Sequence, residues 1–179
     1  MRKLICLLVA ALMASELSAQ TFPMPAIKGE TLDGKKIDSA YFNGHLTLIS
    51  FFYIGCPPCM KEIPVLNKLK DHFKSTSFQI LAIAPHTPSV LTQFNKTPSG
   101  TREPISYDIL PECSEDSLPG TAPRCHTISR LFGVSAYPTA VLINRNGEIL
   151  MTIEGFPMRE NDAETLAEMI KMVDGYLSK

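Results

Sequence analysis

The sequence predicts an α/β fold, a central mixed β-sheet flanked by helices. Three segments carry that prediction. Leu46–Tyr53 is an almost continuous apolar run rich in β-favouring residues, the pattern of a strand buried on both faces. Met60–Phe73 follows, with Ile63, Leu66, Leu69 and Phe73 at three- or four-residue spacing along one helical stripe. Phe78–Ala84 is a second apolar run that completes a strand–helix–strand unit, and right-handed crossover makes its two strands parallel.

The remaining elements are read in chain order. Met1–Ala19 has the layout of a cleaved secretory leader. Arg2 and Lys3 precede an apolar Leu4–Ala14 run, and Leu17-Ser18-Ala19 supplies small residues ahead of an expected cut before Gln20. Eleven apolar residues are too few to span a bilayer, which takes about 20. Cys6 leaves with the leader, so residues 20–179 form one expected domain with four cysteines, Cys56, Cys59, Cys113 and Cys125. An even cysteine count in an exported chain fits an oxidising compartment, the bacterial periplasm or exterior. Ile27–Ile37 carries Leu32-Asp33-Gly34-Lys35, a hairpin turn, and Asn43-Gly44 is a second turn. Val90–Phe94 is a short helix candidate. From Thr97 to Arg124 prolines and glycines break every period, so 97–125 is expected to be an irregular insertion. Ile128–Phe132 resumes a helix, Thr139–Ile143 and Glu148–Ile153 form a hairpin across Asn144–Gly147, and Ala163–Leu177 is an amphipathic helix with Leu166, Ile170, Val173 and Leu177 on one side.

Composition excludes several classes. Hydrophobic residues make up 45% and charged residues 20% of 179, which is neither disordered nor multi-spanning. Seventeen Lys and Arg against 18 Asp and Glu leave no basic footprint for nucleic acid.

The chemistry concentrates in Cys56-Pro57-Pro58-Cys59. A C-x-x-C pair serves redox exchange, metal binding or a structural bridge, and its setting separates these uses. A zinc site wants a second pair of matched spacing, whereas Cys113 and Cys125 stand 12 positions apart. Here the pair falls between a buried strand and a helix start, where unpaired N–H groups and the helix dipole favour thiolate, the form that attacks disulfides. Cys56 is then the attacking sulfur, and Cys59, one turn into the helix, resolves the mixed disulfide. Pro57 and Pro58 bring no N–H donors, which argues against a strongly acidic, strongly oxidising Cys56.

This strand–CPPC–helix unit, with Tyr137-Pro138-Thr139 before a later strand, resembles the thioredoxin fold. It is most similar to the exported TlpA/ResA-type thiol–disulfide oxidoreductases, over about residues 22–177. The matching parts are the Ile27–Ile37 hairpin, CPPC, Glu62 with Pro64, Phe132-Gly133-Val134 and Pro138. The resemblance implies an N-terminal hairpin extension, exchange with protein thiols and disulfides in the reducing direction, and an electron donor in the membrane or periplasm. It implies no cofactor, and no stable membrane insertion once the leader is cut. It makes Pro138 a cis-proline facing the disulfide and Tyr137 the residue that offers its backbone to the partner, with a ring that either restricts partners or packs on the domain. Glu62 becomes acid–base help for Cys59, against the plainer reading of a solvent-facing helix charge. Two features depart from the family: Gly55 stands where Trp usually precedes the first cysteine, and the Thr97–Arg124 stretch with Cys113 and Cys125 is longer than the usual link. Ser50 stands where thioredoxins themselves keep a buried Asp, which adds weight to Glu62.

Cys113 and Cys125 read as a structural disulfide closing a loop of about 13 residues, or as a second redox pair. His86 or His126 with Cys56 and Cys59 is the copper alternative, in the manner of Sco-type metallochaperones, although those carry C-x-x-x-C. A peroxiredoxin-type thiol peroxidase wants a Thr three residues before its cysteine, and Tyr53 stands there. No metal is expected on the main reading.

Overall fold

A run that is apolar at every position needs cover on both sides, and Leu46–Phe51 is buried at all six residues. The computed structural model describes residues 21–97, 103–116, 125–155 and 161–178. In chain order the elements are β1 (Phe22–Pro23), β2 (Gly29–Glu30), β3 (Lys36–Ile37), α1 (Ser39–Phe42), β4 (Leu46–Phe51), α2 (Pro57–His72), β5 (Phe78–Ala84), α3 (Pro88–Lys96), β6 (Asp108–Pro111), α4 (Thr127–Leu131), β7 (Thr139–Ile143), β8 (Glu148–Glu154) and α5 (Asp162–Leu177). The Met1–Ala19 leader expected from the sequence lies outside the described residues.

Six strands make one mixed sheet in the order β1-β8-β7-β4-β5-β6. β4, β5 and β6 run parallel, while β7 is antiparallel to β4 and to β8. Side chains alternate along β4, so its two faces feed two cores. Leu46 and Leu48 join Ile63, Leu66 and Leu69 of α2, Leu91 of α3 and Met169 and Val173 of α5. Ile49 and Phe51 join Phe42 of α1, Ile128 of α4 and Ile27 and Ile37 of the N-terminal segment. Each such Leu, Ile or Phe contributes about 1.5–3 kcal/mol by leaving water.

β2 and β3 pair as a separate antiparallel hairpin, closed by Thr31 N–H donating to the Lys35 carbonyl at 2.9 Å. Gly34 takes φ +80°, which a side chain would resist. The Leu32 N–H donates to the Ile109 carbonyl and docks the hairpin against β6.

One sequence reading needs correction. The 97–125 stretch is not irregular throughout, because Asp108–Pro111 is a strand paired in parallel with Leu81–Ala84. Ile105, Tyr107, Ile109 and Leu110 of this stretch are all buried. Pro111 lacks an N–H, which an edge strand tolerates, and prolines on both sides hide a strand this short. α2 begins at Pro57, so Pro57 and Pro58 fill its first turn as expected, where no N–H partner is needed. α5 buries Thr165, Met169 and Val173, while Leu166, Ile170 and Leu177 pack at the edge of the core. β1 and α1, two and four residues long, carry too little period to be read from sequence.

Candidate active site

The site sits where β4 hands over to α2. Past Phe51 the chain makes a tight turn, with the Cys56 N–H donating to the Tyr53 carbonyl at 3.1 Å. Gly55 in this turn has φ +94°, a conformation that disfavours the larger residue expected there from the family pattern. Cys56 then caps α2, accepting the Cys59 N–H on its sulfur at 3.3 Å. The two sulfurs are bonded at 2.13 Å, with Cα atoms 5.3 Å apart. Cys56 is 9% exposed and Cys59 1%, so Cys56 is the sulfur a partner reaches first.

Opposite them, the Tyr137–Pro138 peptide is cis, and the Tyr137 carbonyl oxygen lies 3.7 Å from the Cys56 sulfur. The Tyr137 ring faces Tyr53 at 6.3 Å between centroids, and its hydroxyl meets His126 Nδ1 at 3.3 Å. The ring lies beside the site and also packs against both cores of the domain.

Glu62 is buried at 1% exposure, so it is not a solvent-facing charge. It sits one helical turn beyond Cys59 and points towards β4, where the Ser50 hydroxyl donates to its Oε1 at 3.1 Å. Oε2 has no hydrogen-bond partner among the described residues. Burial pushes its pKa up to about 8, a rise that the Ser50 hydrogen bond partly offsets. Ser50 occupies the strand position expected to lack an acid, and its hydroxyl now serves an acid arriving from the helix.

The second pair is also joined. Cys113 and Cys125 have sulfurs 2.26 Å apart and Cα atoms 4.6 Å apart. The Cys113 N–H donates to the His86 carbonyl at 3.3 Å, which brings this disulfide to the rim of the same site. Among the described residues no three His, Cys, Asp or Glu side chains cluster as a metal-binding set.

Tyr53 and His86, weighed from sequence only for a peroxidase and a copper site, meet here in a contact that no sequence signal indicated. The Tyr53 ring stacks on His86 at 5.4 Å, and His86 Nε2 accepts the Ile54 N–H at 3.1 Å. These residues stand 32 or 33 positions apart, with no spacing to connect them.

The AhpC/TSA family model matches residues 21–151, most of the chain and all of the site. The chain belongs to the AhpC/TSA family. Among curated relatives of this AhpC/TSA member is the thiol-disulfide oxidoreductase ResA of Bacillus thuringiensis subsp. konkukian, 29% identical over 143 residues, covering 79% of this chain and 71% of the relative. ResA of Halalkalibacterium halodurans is 28% identical over 142 residues, covering 79% and 72%. A solved thiol:disulfide interchange protein of the thioredoxin family from Chlorobium tepidum TLS superposes with a TM-score of 0.64 at 25% identity, over 89% of this chain and 99% of that one. The fold is thioredoxin-like, and the Cys56–Cys59 pair is a C-x-x-C dithiol in its disulfide form.

Proposed function

We propose that this protein is an exported thiol–disulfide oxidoreductase that reduces disulfides of partner proteins in the bacterial envelope. The observation that carries this reading is a C-x-x-C disulfide at the start of α2 whose first sulfur is the more exposed. The Met1–Ala19 leader, read from sequence, supports export. Among the described residues no helix is long and apolar enough to cross a membrane.

The cycle starts from reduced Cys56 and Cys59 with Glu62 ionised. The Cys56 thiolate, held by the Cys59 N–H, attacks one sulfur of the partner disulfide, and the other partner sulfur leaves as thiolate. Glu62 takes the proton from Cys59, whose sulfur attacks Cys56 and expels the second partner sulfur. The partner gains two electrons, and the Cys56–Cys59 disulfide remains beside a protonated Glu62. A raised Glu62 pKa favours that end state. When a membrane or periplasmic dithiol donor reduces the pair again, Glu62 returns its proton to Cys59. Tyr137 and Pro138 present backbone to the partner next to Cys56. Cys113–Cys125 clamps the 97–125 segment.

Equilibration in graded redox buffers, with thiols alkylated and assigned by mass spectrometry, tests this. We expect a Cys56/Cys59 midpoint below about −220 mV, in the range of reductases. A midpoint near about −120 mV marks an oxidant and reverses the direction. A pair that never forms a disulfide removes the oxidoreductase reading.

A further inference from the structure

The β4–β5 ladder ends one rung before the active cysteine. Phe52 N–H donates to the Ile83 carbonyl at 3.0 Å, the last backbone bond between the two strands at this end. One rung further a parallel ladder would offer the carbonyl of Pro85 to Ile54. The chain instead turns away, with the His86 N–H donating to the Ala84 carbonyl at 2.8 Å. The His86 side chain swings back, and its Nε2 accepts the Ile54 N–H at 3.1 Å. An imidazole thus replaces a backbone carbonyl at the rung directly ahead of Gly55 and Cys56. Its other supports are the Tyr53 ring stacked at 5.4 Å and the Cys113 N–H on its carbonyl.

We propose that His86 is a positioning residue for disulfide exchange: its unprotonated Nε2 holds the Phe52–Cys56 turn, and with it the Cys56 sulfur, in the presenting position. This rests on the thiol–disulfide reading given above. Accepting a hydrogen bond at Nε2 requires the neutral ring with its proton on Nδ1. A second proton turns Nε2 into a donor facing a donor, so acid releases the turn. The titratable groups facing this imidazole are the stacked Tyr53 phenol and His126, with Glu112 and Tyr137 beyond His126. Burial, and then the neighbouring His126, hold the His86 pKa below its ordinary 6.5, which keeps the ring neutral at neutral pH. The bonded cysteines do not titrate, so the oxidised protein isolates the effect.

The test uses the oxidised full-length protein. Dithiothreitol attack on Cys56–Cys59 is timed from about pH 5 to about pH 7.5, and each rate is divided by the dithiothreitol thiolate fraction. The 15N shifts of Ile54 N–H and His86 Nε2 are followed over the same range. We expect the corrected rate to fall roughly tenfold in acid, the loss of about one hydrogen bond, and the Ile54 shift to move with the His86 titration. His86→Ala should be slow at every pH. His86→Gln, whose amide oxygen accepts the same N–H without titrating, should stay near the neutral wild-type rate throughout. His126→Gln should keep the acid limb, moved to higher pH because a neighbouring cation is lost. An Ile54 shift indifferent to His86, a His86→Ala profile like wild type, or loss of the limb in His126→Gln overturns the proposal. Wild type that fails to exchange at any pH overturns the underlying oxidoreductase reading, whereas exchange indifferent to His86 overturns this inference alone.

Discussion

At Glu62 one carboxyl serves two masters, the helix that carries it and the strand it faces. Its side chain leaves solvent entirely, yet a single Ser50 hydroxyl is the polar contact it receives among the described residues. Such a group stays protonated when the disulfide is closed, and in the reduced protein its carboxylate is the base that takes the Cys59 proton. Glu62→Gln keeps the shape and the Ser50 contact but cannot accept a proton. In the reducing direction we expect its second step to slow roughly a hundredfold. The mixed disulfide on Cys56 should then accumulate in quenched samples weighed by mass spectrometry. An unchanged rate of resolution excludes Glu62 as the acceptor. The cysteines of this site were legible from their spacing together with their setting between a buried strand and a helix start. The Ser50–Glu62 contact was half legible, since a missing strand acid directs attention to the helix acid. The His86–Ile54 bond was not, because a side chain completing a backbone ladder leaves no periodic trace.

Among the elements, those with long uniform patterns were readable and those that depend on neighbours were not. β4 and β5 announce themselves because both faces are covered, so nearly every residue is apolar. β6 shows only Ile109-Leu110 between polar or proline residues, and it exists because the open edge of β5 pairs with it. α1 is one turn long and is fixed by the Asp38 side chain accepting the Ala40 N–H, a cap that a turn would show equally well. The segment after β6 has the Cys113–Cys125 bond as its cross-link. Replacing both cysteines by serine should lower stability by about 3 kcal/mol in urea unfolding, if the bond acts as a loop closure. In the same variant the Cys56/Cys59 midpoint should stay in place. A moved midpoint with intact stability would make the second pair part of the electron path.

On the scale of the molecule, the buried acid leaves a mark on stability against pH. The Glu62 pKa is about 8 in the folded protein against an ordinary 4.5. Folding therefore binds a proton, and the associated stability is fully present below the unfolded pKa and is lost as pH rises through about 8. The urea midpoint of the oxidised protein should fall between about pH 5 and about pH 8.5, and Glu62→Gln should flatten that slope. A slope that survives the substitution places the titration elsewhere. The covalent plan of the chain has a further consequence. The four cysteines among the described residues allow three pairings, and the pairing present joins each cysteine to its next neighbour in sequence. The sheet, by contrast, closes late, since Phe22 of β1 waits for Ile149 of β8. For a chain emerging from its N-terminus, the native partner of each cysteine is thus the next one to arrive, whereas the edge strand β1 has its partner only near the end of the chain.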